Sequence, residues 1–460
     1  MLDPLPIRPV PAGCPISCRV DLPGSKSITN RALVFAALAR GETVLDGALF
    51  SRDTELMGAA LNKLGIICES DPTTHQIRVS GCGGQLPEAS AELFVGNAGT
   101  AARFLPALLA TRVGGDYQLD GDPAMRRRPI APLLDALVAL GAVEVTYLGD
   151  TGFFPFRLRT HGFAQAANRE VEVDASASSQ ILSALLMASP VGAVDLIRLR
   201  CPEVRPAYIE ITLRMAESFG GGRVKPDAEG VYELVPQVYA PPESGTYAVE
   251  PDLSAASYFL AHSQIHGSQL HLARVGAEPL QGDRQFADLL AEHHGLRIDR
   301  DHQGGWQVSG PSDCEVGEGA WNHDFNHFSD TFLTYAAISP LFGALEVVIR
   351  GIRHTRHQET DRVAGIANEL RKLGQPVDET DDSLTIRPDR EAMRAVATKA
   401  VKAGQLIEID TYEDHRFAMS FGILGTHDLL GTGQPWLAIR DPACCGKTFP
   451  EFFSVLEKLR

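Results

Sequence analysis

The sequence lacks the cysteine pattern of a metal-binding protein and the basic charge of a nucleic-acid-binding one. Its eight cysteines include no Cys-x-x-Cys pair, and Cys14 and Cys18 have no second pair of ligands that would complete a zinc site. With 42 basic and 58 acidic residues, the net charge is −16, which disfavours nucleic acid as a partner. We therefore expect neither a bound metal nor a nucleic-acid partner.

Long apolar runs are missing as well. No stretch has the length needed to span a bilayer, and the N-terminal segment has no basic region followed by an apolar one, which is the pattern of a secretory signal. These features predict a cytoplasmic protein with reduced cysteines and no membrane partner. The 460 residues, of which 44% are hydrophobic and 22% charged, are typical of a globular chain with two domains.

A regular series of glycines follows helical segments along the chain. The five positions, spaced by 76, 79, 75 and 79 residues, are Gly65, Gly141, Gly220, Gly295 and Gly374. Glycine is favoured just past a helix end because it enters the left-handed region without a Cβ clash. A fixed period indicates that one structural unit is repeated. A sixth copy without the glycine closes the chain at 456–459.

Each repeat contains two kinds of predicted helix. One is amphipathic and ends at the glycine, whereas the other is apolar around most of its circumference and is predicted to be buried. The buried helices are predicted at 26–39, 101–111, 180–188, 254–262, 330–339 and 416–424. Short strands between them predict a βαβαββ unit. We expect an α/β (α+β) protein with two similar domains, each an inverse α/β barrel of three βαβαββ units around buried helices.

The domain boundaries are predicted from a second similarity. The approaches to the first and fourth buried helices, DLPGSKS (21–27) and VEPDLSA (249–255), resemble each other. We therefore place the chain crossings near these segments. The first lobe is predicted to span 22–248, and the second lobe to combine 1–21 with 249–460. A cleft between the lobes is expected.

The N-terminal ends of the buried helices carry small residues and cations, as in GSKS (24–27) followed by Arg31, and GNAGT (96–100) followed by Arg103. A helix N-terminus offers free N–H donors and the positive end of the helix dipole, so together with hydroxyls and a cation it binds anions. GSKS lacks the second glycine of a nucleotide P-loop, which disfavours ATP. The set predicts a cleft that binds small anionic ligands.

Single motifs also have simpler explanations. Ser and Asn at a helix start are ordinarily caps, and the run 126–128 of three arginines could be a solvated turn. For Arg356 and Asp361, a capped helix start with surface charges is the favoured interpretation. The functional interpretation depends on the motifs taken together, because they occur in five of the six units.

Together, the motifs resemble the 5-enolpyruvylshikimate-3-phosphate (EPSP) synthase family over nearly the whole chain. The motifs are LPGSKSITNRAL (22–33), GNAGTAARFL (96–105), MRRRP (125–129), SSQILSALLM (178–187), VEPDLSAASYFLA (249–261), NHFSD (326–330), ETDR (359–362), DHRFAMSF (414–421) and GKTFPEFF (446–453). The resemblance implies two domains of three βαβαββ units. It also implies transfer of the enolpyruvyl group of phosphoenolpyruvate to the 5-hydroxyl of 3-phosphoshikimate, with no cofactor or metal. We expect a monomer.

The resemblance also implies roles for individual residues. Asp330 is implied as the proton acceptor near the 5-hydroxyl, Glu359 as the partner in proton transfer at C3, and Lys26 as a catalytic residue between the substrates. The implied 3-phosphoshikimate contacts are Lys26, Ser27, Arg31, Ser178, Ser179, Gln180, Arg205, Tyr208, Asp330 and Gln358. The implied phosphoenolpyruvate contacts are Lys26, Gly99, Arg128, Gln180, Arg362, Arg416 and Lys447.

Two departures from the family pattern leave the acceptor open. Gln358 stands where many members of the family have Lys. Arg205-Pro-Ala-Tyr208 stands where many members have Ser-Lys-Pro-Tyr or Ser-Arg-Pro-Tyr, so the serine is missing here. A paralogue with another acceptor is one alternative. UDP-N-acetylglucosamine enolpyruvyltransferase is a second, although the loop 121–125 lacks the reactive cysteine of that family. A non-catalytic anion-binding relative is a third. Asp330 and Glu359 argue against it, because carboxylates hinder anion binding.

Overall fold

The computed structural model describes residues 2–11, 16–165, 170–176, 178–204, 206–302, 304–311 and 319–460. The chain divides into two compact units. We call Gly24–Glu250 the first lobe, and Met1–Pro23 together with Pro251–Arg460 the second lobe. Each boundary lies two residues after the position expected from the sequence.

The described residues form thirteen α-helices and 22 strands. The helices are α1 Lys26–Leu38, α2 Arg52–Lys63, α3 Gly99–Leu109, α4 Ala131–Ala139, α5 Ser179–Ala188, α6 Pro206–Ser218, α7 Leu253–His266, α8 Arg284–His294, α9 Phe332–Ile338, α10 Arg362–Lys372, α11 Arg390–Lys402, α12 His415–Gly425 and α13 Phe452–Glu457. The strands are β1 Leu5–Pro6, β2 Ser17–Val20, β3 Arg40–Asp46, β4 Cys68–Asp71, β5 Gln76–Cys82, β6 Ser90–Phe94, β7 Val113–Asp120, β8 Val143–Tyr147, β9 Phe156–His161, β10 Glu170–Glu172, β11 Ile197–Arg200, β12 Val231–Leu234, β13 Thr246–Ala248, β14 Gln269–Leu272, β15 Arg297–Arg300, β16 Trp306–Ser309, β17 Ala320–Asp324, β18 Glu346–Arg350, β19 Val377–Glu379, β20 Ser383–Ile386, β21 Ile407–Ile409 and β22 Leu437–Ile439.

Each lobe contains three small sheets, one for each predicted repeat. The sheets of the first lobe have the orders β13-β3-β5-β4, β6-β7-β9-β8 and β10-β11-β12, and those of the second lobe β15-β16-β14-β2, β17-β18-β20-β19 and β1-β22-β21. The middle repeat of each lobe has the complete predicted order, β6-α3-β7-α4-β8-β9 and β17-α9-β18-α10-β19-β20. The prediction of a two-domain α/β fold built from repeated βαβαββ units is therefore confirmed.

Three of the other four repeats take a strand from a distant part of the chain, whereas the sheet β10-β11-β12 consists of consecutive strands. In the first lobe, β13 pairs in parallel with β3, so the last strand of the lobe completes the first sheet. In the second lobe, β2 pairs in parallel with β14, and β1 pairs antiparallel with β22. The N-terminal segment therefore supplies edge strands to two sheets of the second lobe.

The inner helices are α1, α3 and α5 in the first lobe and α7, α9 and α12 in the second. They are buried on nearly all faces because small and apolar residues surround their axes, as the sequence predicts. The five repeated glycines each follow an outer helix, with φ between +71° and +81°. This conformation explains why glycine recurs at those positions.

One helix was missed by the repeat analysis. Helix α11 lies between β20 and β21, and only Met393 and Ala397 are buried along it. It has a narrow apolar stripe among many charged residues, so its sequence carries no strong signal of burial. Across the part of the chain that the structure describes, no helix is both long and apolar enough to cross a membrane.

Neutral histidines are buried in the second lobe. Burial lowers the pKa of His262 to about 4 and that of His294 to about 3. The ring of His294 lies 2.9 Å from the Tyr335 hydroxyl and stacks on Phe342 with ring centroids 4.4 Å apart. In the unfolded chain the same imidazoles bind a proton with a pKa of about 6.5. The stabilisation that the buried neutral rings give to the folded state is therefore complete above that pH. It is lost as the pH falls from there toward the folded-state pKa, because the unfolded chain then binds protons that the folded chain does not.

We expect the substitution His294→Phe to make the protein less sensitive to acid, because phenylalanine keeps the ring packing and binds no proton. The decrease in unfolding free energy between about pH 7.5 and about pH 5 should shrink by about 2 kcal/mol, measured by urea titration at both pH values. The matched control His302→Gln, at an exposed position of the same lobe, should leave that decrease unchanged. An unchanged decrease for His294→Phe would contradict the prediction.

Candidate active site

The N-terminus of α1 presents a lysine beside a carboxylate. Helix α1 begins at Lys26, and the side chain of the preceding Ser25 forms no capping hydrogen bond. Lys26 Nζ lies 3.4 Å from Asp53 Oδ2, and the two side chains are 16% and 6% exposed. Asp53 in α2 therefore orients the ammonium group while other N–H bonds of Lys26 stay available to a ligand.

Arg31 is a buried cation in the same helix, with only 1% of its surface exposed. Its Nε donates to Thr212 Oγ1 at 2.8 Å, and its Nη atoms donate to the Ser27 carbonyl at 3.0 Å and to Ser183 Oγ at 3.2 Å. No carboxylate of the described residues forms an ion pair with it. Burial lowers the pKa of Arg31 to about 10. A buried charge without a counter-ion favours binding of an anion nearby.

The contacts of Arg31 join the three inner helices of the first lobe near their N-terminal ends. The guanidinium carbon lies 5.3 Å from the ring centroid of Phe104 in α3 and 5.7 Å from that of Tyr208 in α6. Arg31, Phe104 and Ser183 each lie in the second turn of their own helix. The first turns of α1, α3 and α5 are therefore close together.

The three consecutive arginines of the MRRRP motif differ in their surroundings. Arg126 forms a two-pronged ion pair with Asp120, at 2.9 and 2.5 Å, and Arg127 is exposed. Arg128 is half-buried, and its guanidinium forms no hydrogen bond or ion pair with any described residue, although its backbone amide donates to the Met125 carbonyl at 2.9 Å. Its guanidinium packs on Gly99, because a Cβ added there would lie 3.1 Å from Nη2. An unpaired arginine against the uncapped start of α3 is an anion-binding arrangement.

The start of α5 carries the predicted serine cluster. Ser178 Oγ accepts a hydrogen bond from the Gln180 amide at 3.3 Å and so caps α5, whereas Ser179 is buried. The Ser178 hydroxyl hydrogen remains available as a donor. Arg205, which the sequence analysis placed with these residues, lies outside the described residues.

In the second lobe, two arginines hold Asp330. Arg362 Nη1 donates to Asp330 Oδ1 at 3.1 Å, and Arg416 Nη2 lies 2.7 Å from Oδ2. The Asp330 side chain is 16% exposed and lies in the single turn Ser329–Thr331 that precedes α9. The carboxylate is thus fixed in orientation by two charge-assisted contacts.

Glu359 shares Arg362 with Asp330. Arg362 Nη2 donates to Glu359 Oε2 at 2.9 Å, and Lys447 Nζ donates to Glu359 Oε1 at 2.9 Å. Gln358 Oε1 accepts from Arg362 as well. Burial lowers the pKa of Arg362, but the charges of Asp414, Glu359 and Asp330 raise it by a larger amount. The net pKa of Arg362 is therefore raised. The two predicted proton-transfer carboxylates are therefore linked through one buried guanidinium.

The three inner helices of the second lobe also meet through hydroxyls. Ser257 Oγ in α7 lies 3.0 Å from Thr334 Oγ1 in α9, which lies 3.4 Å from Ser420 Oγ in α12. Thr334 and Ser420 follow Asp330 and Arg416 by one helical turn, so these hydroxyls lie one turn C-terminal to the two charged residues. This chain of hydroxyls corresponds to the Arg31 contacts in the first lobe, in agreement with the repeat.

Comparison with known proteins identifies the family. A family model described as EPSP synthase (3-phosphoshikimate 1-carboxyvinyltransferase) matches residues 10–456. The 3-phosphoshikimate 1-carboxyvinyltransferase of Opitutus terrae is 44% identical over 461 residues, covering 100% of this chain and 98% of that protein. The protein of the same name from Nostoc punctiforme is 38% identical and covers 96% of each chain. The chain belongs to the EPSP synthase family.

A solved structure shows the same fold as this EPSP synthase family member. The EPSP synthase of Acinetobacter baumannii matches with a TM-score of 0.77 at 22% identity, covering 99% of this chain and 98% of that one. Among the described residues of this family member, no group of His, Cys, Asp and Glu side chains could hold a metal ion.

Two carboxylates that organise the site of this EPSP synthase family member were not predicted from the sequence. Asp414 is fully buried, caps α12 by accepting from the Arg416 amide at 2.9 Å, and accepts from Arg362 Nε at 2.7 Å. Asp53 pairs with Lys26, as described above. Asp53 lies in the first turn of α2 and Asp414 immediately precedes α12, so an acid at a helix start beside buried residues was the available signal.

The structure agrees with the helix cap expected at Asp361, but Arg356 is not the surface charge expected, because its side chain is only 16% exposed. Asp361 caps α10 by accepting from the Ala364 amide at 3.0 Å. Arg356 Nη1 donates to Asp361 Oδ2 at 2.8 Å, and its Nη2 lies 3.2 Å from Glu379 Oε2. In this EPSP synthase family member, Arg356 therefore braces the start of the helix that carries Arg362.

Proposed function

We propose that the protein transfers the enolpyruvyl group of phosphoenolpyruvate to the 5-hydroxyl of 3-phosphoshikimate and releases phosphate. Membership of the EPSP synthase family over nearly the whole chain supports this reaction. The observation that carries the proposal is the pair Asp330 and Glu359, held on one buried arginine. A reaction with two proton transfers needs two acid–base groups in fixed positions.

The chemistry assigns different steps to the two carboxylates. Asp330 accepts the hydroxyl proton while the oxygen attacks C2 of phosphoenolpyruvate, and Glu359 delivers a proton to C3. The resulting tetrahedral intermediate loses its phosphate as a proton leaves the new methyl group, which regenerates the double bond. Arg362, Arg416 and Lys447 neutralise the phosphoenolpyruvate anion, and its oxygens compete with Glu359 and Gln358 for their N–H groups.

The first lobe is proposed to supply most of the acceptor contacts. Arg31 meets the ring carboxylate of 3-phosphoshikimate, Lys26 lies between the two substrates, and Tyr208 packs on the ring. The remaining proposed contacts to this substrate are Ser27, Ser178, Ser179, Gln180, Arg205 and Gln358, with Asp330 at its 5-hydroxyl. The buried, carboxylate-free guanidinium of Arg31 supports the assignment, because burial without a counter-ion favours a bound anion.

Arg128, Gly99 and Gln180 are proposed to bind phosphoenolpyruvate. The substitution Gly99→Ala should raise the KM for phosphoenolpyruvate about tenfold, because the new Cβ at 3.1 Å from Arg128 Nη2 displaces the guanidinium from a two-pronged contact. Steady-state kinetics with each substrate varied in turn measures this, and the KM for 3-phosphoshikimate should change little. The control Gly58→Ala in α2 has open space around the added Cβ. An unchanged phosphoenolpyruvate KM for Gly99→Ala would contradict the assignment.

The direct test follows phosphate release from phosphoenolpyruvate with different acceptors. We expect release with 3-phosphoshikimate and none with UDP-N-acetylglucosamine or without acceptor, and mass spectrometry should detect the enolpyruvyl ether product. Phosphate release only with a different acceptor would indicate a paralogue, which is the alternative suggested by the departures from the family pattern at Gln358 and Arg205. Tight binding of both substrates without any product would indicate a binding protein and overturn the proposal.

We also propose that the enzyme is a cytoplasmic monomer. The six described cysteines are free thiols, as expected in a reducing compartment. Light scattering coupled to size-exclusion chromatography should give the mass of one chain, 49.6 kDa. Twice that mass would contradict the proposed monomer.

A further inference from the structure

Asp283 is a buried carboxyl group for which the proposed reaction assigns no step. It stands at the N-cap position of α8, but its side chain does not cap that helix. Instead, Ser254 Oγ in α7 donates to Asp283 Oδ2 at 2.5 Å. Asp283 is 9% exposed and Ser254 is 7% exposed. The Asp283 carboxyl therefore contacts the neighbouring helix α7 instead of capping the start of α8.

Gln281 fixes this arrangement from two residues away. Its Oε1 accepts from the Leu253 amide at 3.0 Å, and its Nε2 donates to the Pro251 carbonyl at 2.7 Å. Together with the Ser254 contact, three hydrogen bonds hold 281–283 against the start of α7. The Asp283 carboxyl therefore cannot turn toward solvent without losing its hydrogen bond from Ser254.

The charged groups that face Asp283 come from three elements. They are Asp252 at the start of α7, Asp330 in the turn before α9, and Arg416 in α12. Burial and then the charge of Asp330 raise the pKa of Asp283 to about 7, against the opposing effects of Ser254 and Arg416. Burial and the two neighbouring acids therefore outweigh Arg416 and the Ser254 hydroxyl, and they make a further negative charge on Asp283 unfavourable.

We propose that Asp283 is a positioning residue that acts on Asp330 and Arg416 through its charge, being neutral in mildly acidic medium and ionised in alkaline medium. In the neutral form it keeps one negative charge away from a site that must take up two anionic substrates. In the ionised form it opposes their binding at Arg416 and makes Asp330 a stronger base. The inference rests on the proposed function, in which Asp330 and Arg416 both act on substrates.

The first test compares pH profiles of KM and kcat for the wild-type enzyme and Asp283→Asn, which imitates the protonated acid. We expect the wild-type KM for phosphoenolpyruvate to rise about fivefold to tenfold between about pH 6 and about pH 8.5, and that of Asp283→Asn to rise much less. Ser254→Ala removes the hydroxyl that favours the ionised form, so it should move the rise to higher pH. The control Asp288→Asn, at an exposed position of α8, should follow the wild type.

The second test does not depend on activity. Infrared difference spectra of the wild type between these pH values should show loss of a protonated carboxylic acid band, and Asp283→Asn should lack this change. Superimposable profiles for wild type and Asp283→Asn, or an infrared change that persists in the variant, would overturn the inference. If Asp283→Asn does not fold, Ser254→Ala decides the matter in both assays. Absence of enolpyruvyl product from the wild type would refute the proposed function instead, and the infrared result would still report on Asp283.

Discussion

Replacing Asp330 with asparagine is expected to lower kcat about a thousandfold, while the KM values change by less than about tenfold. Asparagine preserves the size of the side chain and a carbonyl oxygen for the arginines, but it cannot accept the hydroxyl proton. A positioned acid–base group contributes roughly two to four orders of magnitude to rate. Initial rates at saturating concentrations of both substrates measure the change.

The control for this prediction is Asp324→Asn. Asp324 ends β17, a few residues before Asp330, and is exposed beside Arg350 at 3.4 Å. Its replacement should leave kcat within about twofold, because surface ion pairs contribute little. Circular dichroism should confirm that both variants are folded. Near-normal turnover of Asp330→Asn would remove Asp330 from the role of proton acceptor.

The substitution Asp414→Asn should lower the free energy of unfolding by about 2 to 3 kcal/mol. Asp414 is fully buried and contacts Arg362, which is itself 2% exposed. Asparagine can still accept from the Arg416 amide, so the cap is retained in part, whereas the most buried of the three carboxylates that contact Arg362 is lost. Removing one acid from a buried charge network is destabilising because water cannot reach the guanidinium to replace the lost contact. Urea-induced unfolding at neutral pH gives the measurement.

Asp410→Asn provides the matched comparison in the same part of the lobe. Asp410 contacts Lys372 and Arg440, and all three side chains are well exposed. Exposed pairs contribute about 1 kcal/mol or less, so this variant should be near wild type. If Asp414→Asn were no less stable than Asp410→Asn, Arg362 would not depend on Asp414 for its buried position.

The architecture could be predicted from the sequence because it depends on local and periodic signals. Gly220 and Gly374 follow outer helices with φ of +79° and +77°, and that conformation is a local requirement of the chain. The inner helices were recognisable because apolar residues surround them. Helix α11 was missed because its two buried residues are too few to mark a face.

The pairing of charges could not be predicted in the same way. The MRRRP motif does not indicate that Asp120 engages Arg126 and leaves Arg128 unpaired, because that choice depends on the geometry of β7 and the following turn. Arg362 was expected to face a ligand, yet it contacts Asp330, Glu359 and Asp414 within its own lobe. Such contacts join residues tens of positions apart, and spacing alone does not specify them.

The most direct test of the proposed enolpyruvyl transfer uses phosphoenolpyruvate labelled with oxygen-18 in the bridge between carbon and phosphorus. Attack of the 5-hydroxyl at C2 followed by loss of phosphate breaks the carbon–oxygen bond. Phosphorus NMR of the mixture with 3-phosphoshikimate should therefore show the label in inorganic phosphate. Label retained in pyruvate, with phosphate transferred to the acceptor or to water, would mean that the phosphorus–oxygen bond breaks and would contradict the reaction proposed for Asp330 and Glu359.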